Sequence, residues 1–105
     1  MHSRFPINVI EEENKFLLEL SVPGLKQEDV AIELLHDSID IKITIPEEED
    51  VKYLHRERGS GEFSRKLSFG KPIDTTKATS TLNNGILTIE LPLAEEAKIV
   101  KLAIN

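Results

Sequence analysis

The chain has 105 residues, room for one domain with one core, and with 39% hydrophobic but only 5% aromatic residues and no Trp that core is expected to be aliphatic. The absence of cysteine excludes disulfides, thiolate metal sites and a Cys nucleophile, and fits a reducing compartment. A net charge of −6 argues against nucleic acid as a partner, because phosphate contacts need clustered Lys and Arg.

Apolar runs of only a few residues cannot cross a bilayer, and no basic leader precedes an apolar core at the N-terminus. Neither a membrane span nor a signal peptide is expected, and the cytoplasm is the expected location. In chain order, Phe16, Leu18 and Leu20 alternate with Leu17, Glu19 and Ser21, the period of a half-buried strand. Val22-Pro23-Gly24 then supplies turn chemistry. Val30, Ile32 and Leu34 give the next strand, and His36-Asp37-Ser38 the next turn. Residues 38–46 are the clearest case: Ile39, Ile41, Ile43 and Ile45 alternate with Asp40, Lys42 and Thr44.

After a long segment ending at Gly59-Ser60-Gly61, Phe63, Arg65, Leu67 and Phe69 mark a further strand, closed by Gly70-Lys71-Pro72. Residues 77–82 and 86–91 supply two more, joined through Asn83-Asn84-Gly85. Asn and Gly tolerate positive φ, so this tripeptide reverses the chain and sets the register of both strands. Residues 94–98 make one helical turn at most. Many short strands, regular turns and no crossover helix indicate an all-β fold, an antiparallel β-sandwich of two sheets.

Residues 46–61 do not fit a plain sandwich. They carry Glu47-Glu48-Glu49-Asp50, a β-capable piece Val51-Lys52-Tyr53-Leu54, and His55-Arg56-Glu57-Arg58. An acidic run is ordinarily a solvated face. Together with the apolar piece and the basic run, it suggests a protruding strand that pairs with the sheet edge of another subunit.

Enzyme chemistry has no foothold. There is no G-x-x-x-x-G-K-[ST] loop for a nucleotide and no G-x-S-x-G serine. His2 falls in a terminal segment, His36 in a turn and His55 in the long segment. Asp, Glu and His lack metal-site spacing, so no cofactor or metal is expected.

Three landmarks, in this order and spacing, give the chain a family likeness: Val22-Pro23-Gly24, the run from Glu57 to Arg65, and Ala78-x-x-x-Leu82-Asn83-Asn84-Gly85-Ile86-Leu87 with Pro92 beyond. From about Ile7 to Ile104 the chain resembles the alpha-crystallin domain of the small heat-shock proteins, of the non-animal type. The resemblance implies an immunoglobulin-like sandwich over residues 6–92, a dimerisation loop over 46–61, and a C-terminal tail over 93–105. In the implied homodimer, Tyr53, Leu54 and His55 lie in an exchanged strand that pairs with Ile7, Asn8 and Val9 of the partner subunit. Arg65 matches an arginine that acidic residues engage at the dimer interface; a solvated strand residue is the other reading. Leu102-Ala103-Ile104 is the nearest match to a tail motif, Ile-x-Ile or Val, that docks on another dimer. The implied docking groove is lined by Val30, Ile32 and Leu34 on one side and by Ala78, Ser80 and Leu82 on the other. Alternation also allows these residues, Ile32 and Leu82 above all, to be core, and allows residues 99–104 to fold back as a last strand.

The implied function is that of an ATP-independent holdase that binds partly unfolded client proteins as a dimer or larger oligomer. Family members carry an N-terminal arm of tens of residues, whereas Met1 to Phe5 alone precede the first expected strand here. A dimer or small oligomer is therefore expected. Two other classes stay open: a co-chaperone adaptor of the CS-domain type, and a structural or coat protein built on the same domain. Gly24 and Gly85 are expected to serve the turns.

Overall fold

The computed structural model describes residues 5–46, 61–97 and 103–104. Seven strands form where apolar residues alternate with polar ones: β1 (Ile7–Glu11), β2 (Lys15–Ser21), β3 (Val30–Leu34), β4 (Ser38–Ile45), β5 (Gly61–Ser68), β6 (Thr79–Asn83) and β7 (Ile86–Pro92). They make two antiparallel sheets, one ordered β1-β2-β7-β6 and the other β3-β4-β5. This is the expected all-β sandwich.

Period-two alternation sends one face of each sheet inward. In the larger sheet Phe16 lies opposite Leu91, Leu18 opposite Ile89 and Leu20 opposite Leu87. All six are buried, and they meet Ile39, Ile41, Ile43 and Ile45 from the middle of the smaller sheet. Aromatic side chains contribute at the margins of this aliphatic core. Phe16 stacks on Phe69 at 4.6 Å between ring centroids, and Phe5 meets Phe63 edge to face at 5.6 Å.

Some boundaries differ from the pattern-based expectation. Lys77 does not enter β6, because its amide donates to the Asp74 carbonyl at 3.2 Å and the Asp74 carboxylate accepts from the Thr76 hydroxyl at 2.6 Å. A side-chain-closed turn thus occupies the residues before the strand. β5 begins at Gly61, opposite Ile45, before its first apolar residue. β7 runs through Pro92, tolerated at a strand end, where the proline carbonyl accepts from the Asp74 amide at 2.8 Å. Residues Glu95–Ala97 form a single 3-10 turn, as do Gln27–Asp29 before β3.

The two glycine turns meet in space. Leu25 donates to the Val22 carbonyl at 3.2 Å around Pro23 and Gly24, and with φ of 79° at Gly24 this is a type II turn. At the other, Asn83 pairs with Ile86 across Asn84 (φ 52°) and Gly85 (φ 77°). Positive φ at both central residues defines a type I′ hairpin. The Val22 amide donates to the Gly85 carbonyl at 2.7 Å. Gly85 also lies so close to Pro23 that a Cβ would stand 3.3 Å from the proline Cα. Two glycines far apart in sequence therefore hold one joint.

Candidate docking groove and dimer edge

Each sheet has two outer strands, and one from each, β3 and β6, border the same side of the sandwich. Inward residues of β3 cannot be fully covered there. Val30, Ile32 and Leu34 are half-buried, and with Ala78 and Leu82 they pack against the core. Their remaining surface lines two neighbouring grooves. One, of about 260 Å³, is bordered by Val30, Ile32, Ser80, Thr81, Leu82 and Leu87, with Gln27 at its rim. The other, of about 180 Å³, is bordered by Ile32, Leu34, Ala78, Thr79, Ser80 and Ile89. Ile32 and Ser80 belong to both, so the six residues named from the sequence fall along one continuous feature. Core packing and groove lining are two sides of the same side chains.

The lining fixes what this feature can do. It presents aliphatic side chains, hydroxyls and one amide, with no acid or base. Burial of apolar surface and hydrogen bonding to strand edges that no described strand pairs are its available chemistry. Among the described residues no group of three or more His, Asp or Glu could hold a metal.

The opposite side of the sandwich carries β1 and β5. β1 is an outer strand paired to β2, with Val9 45% and Ile10 40% exposed. Ile7 is half-buried and Asn8 exposed. Arg65 lies opposite Ile41 on β5, half-buried, and its Nη1 donates to the Phe5 carbonyl at 3.3 Å. It is therefore no freely solvated strand residue. Tyr53, Leu54, His55 and Leu102 lie outside the described residues. Ile104 is 98% exposed, and neither it nor Ala103 belongs to a strand.

The shifted groups do not line the groove, although Glu90 accepts a hydrogen bond from Thr79 at its border. On the outer face, Lys15 Nζ and Glu90 Oε1 are 2.6 Å apart. This hydrogen bond, then the charge of Lys15, lowers the Glu90 carboxyl below its ordinary value, and the same contact raises Lys15. Asp74 is lowered chiefly by the Thr76 hydroxyl.

Sequence pattern did not single out Phe5, Gln27, Thr79 or Thr81. Phe5 is buried at 4% although it precedes any periodic stretch. Gln27 sits in a one-turn helix with no apolar signal. Thr79 and Thr81 alternate with Ser80 on an edge strand, where both faces are polar.

A two-sheet antiparallel sandwich with a groove of aliphatic and hydroxyl side chains between outer strands of opposed sheets is the architecture of the alpha-crystallin class. The model of the Hsp20/alpha crystallin family matches residues 8–104, and the chain belongs to that family. Among its relatives is the 18 kDa antigen of Mycobacterium leprae (strain TN), 28% identical over 101 residues, covering 95% of this chain and 68% of the relative. The 17.8 kDa class I heat shock protein of Arabidopsis thaliana is 36% identical over 87 residues, covering 78% of this chain and 55% of the relative. The solved structure of heat shock protein 16.0 from Schizosaccharomyces pombe superposes with a TM-score of 0.78 at 26% identity, over 99% of this chain and 100% of that one. No helix among the described residues is long and apolar enough to cross a membrane.

Proposed function

We propose that this chain is an ATP-independent holdase, binding partly unfolded proteins through apolar surface and keeping them from aggregating. The observation that carries this reading is the continuous groove between β3 and β6. It is apolar at its base, bordered by two outer strand edges, and free of catalytic groups. An extended segment laid there would gain backbone hydrogen bonds along an edge and bury alternate side chains.

The working unit in this reading is a homodimer in which residues 46–61 of one subunit add a strand to β1 of the other, with Arg65 near the join. The tail residues Leu102 and Ile104 occupy the groove of a neighbouring dimer and compete there with clients. Burying two aliphatic side chains gains roughly 3–6 kcal/mol, and ordering the tail takes back a good part of it. A single tail thus binds weakly, while several within one assembly act at high effective concentration. The protein works in the cytoplasm, without nucleic acid, membrane or catalysis.

The test is suppression of heat-induced aggregation of a model client at substoichiometric amounts, without nucleotide. Protection is expected. No protection from a monomer would favour the adaptor reading, and no protection from an intact oligomer would favour a structural part.

A further inference from the structure

We propose that Asn84 is a site of spontaneous chemical modification, its side chain cyclising onto the Gly85 backbone within the folded hairpin to give a succinimide. The reaction joins the Gly85 amide nitrogen to Cγ of Asn84. Water carries the Gly85 amide proton to Nδ2 as the new C–N bond forms, the Cγ–Nδ2 bond breaks, and Nδ2 leaves as ammonia. Water then opens the ring at either carbonyl, leaving an aspartyl or an isoaspartyl residue at position 84 and one more negative charge.

Three features place the reaction here. Gly85 has no side chain to obstruct attack on the exposed Asn84. The turn also supplies the backbone setting. Asn84 already has φ of 52°, and the imide ring requires the following peptide plane to be turned over from its type I′ orientation. That rotation converts a type I′ turn into a type II′ turn. Both are favoured hairpin turns, and both have positive φ at the first central residue. Finally, the rotation acts on the peptide between Asn84 and Gly85 and leaves the Gly85 carbonyl free to keep the 2.7 Å bond from Val22. The hairpin can hold the cyclised residue without releasing its joint to the Pro23 turn.

The other asparagines provide internal comparison. Asn8 precedes the β-branched Val9, Asn14 precedes Lys15 and Asn83 precedes Asn84, so each of these three has a side chain on the attacking residue, and Asn105 is the last residue of the sequence.

The experiment holds the full chain, folded, at mildly alkaline pH and follows it by intact mass and by peptide mapping in acid, where the imide persists. A species lighter by one ammonia, or its ring-opened product, is expected at Asn84, forming no more slowly than in the same chain unfolded in urea. Asn84→Gly, which suits positive φ, is expected to retain the melting temperature and to abolish the product. An unmodified Asn84 in the folded protein while the unfolded chain reacts would overturn the proposal, because the turn would then protect. Equal yield at Asn14, or an undiminished yield in the Asn84→Gly protein, would overturn it as well.

Discussion

Phe5 shows how much one side chain outside the strands can contribute. It closes the sandwich beside β5, buried to 4%, with its ring against Phe63 and its carbonyl accepting from Arg65. Phe5→Ala is expected to cost about 3–5 kcal/mol, read as a lower urea midpoint with an unchanged slope. Gly85 is a second such residue. Gly85→Ala faces a left-handed backbone and a Cβ 3.3 Å from Pro23 Cα; the conformation alone costs about 1–2 kcal/mol, and equal melting temperatures would refute the requirement. Ion pairs matter less, being exposed, but they set a pH signature. The Glu90 carboxyl is depressed below 4.5 and that of Asp74 below 3.8, so their contribution is present above those values and lost as pH falls through the lowered ones. Lys15 is raised above 10.5, so its contribution is complete below 10.5 and lost as pH rises through the higher value. Urea midpoints should therefore be level at neutral pH and decline at both extremes. Glu90→Gln should reduce both slopes.

Among elements, legibility followed burial. β2, β4 and β7 lie inside their sheets, and their inward residues Leu18, Ile41 and Leu91 are wholly buried. Strict alternation was imposed on them, and the sequence displays it. β1 carries Ile7, Val9 and Ile10 on both faces of an outer strand, so no period marks it, and the family resemblance alone pointed there. Ile73 and Leu93 are core residues joined by a lone bridge, invisible to periodicity because neither belongs to a run. The groove lining was readable for a different reason: β3, an outer strand, keeps the inward apolar set Val30, Ile32 and Leu34 although the described residues bury it only in part. Ser80, exposed on β6 and shared by both grooves, offers a test at this scale. Ser80→Arg should obstruct both grooves and shrink assemblies beyond the dimer, while stability changes by no more than about 0.5 kcal/mol, as for other surface substitutions. Removing residues 48–54 should leave a folded monomer by light scattering; an unchanged mass would sink the exchange proposal.

For the whole molecule, tail and groove should act as one system. Leu102→Ala combined with Ile104→Ala is expected to reduce the mass of any assembly larger than the dimer and leave the melting temperature unchanged. No change in mass would mean that the tail does not link subunits. The sheet order has a further consequence, for the birth of the chain. β3, β4 and β5 are successive in sequence and can pair as soon as they emerge, whereas β2 must wait for β7, the last of the described strands to be made. Pairing of such sequence-distant strands is slow, and an uncovered strand is aggregation-prone while it waits. During synthesis, Leu18 and Leu20 therefore stand in the same peril as the unfolded chains this protein is proposed to shelter. The bond from Val22 to Gly85 is made only when that wait is over.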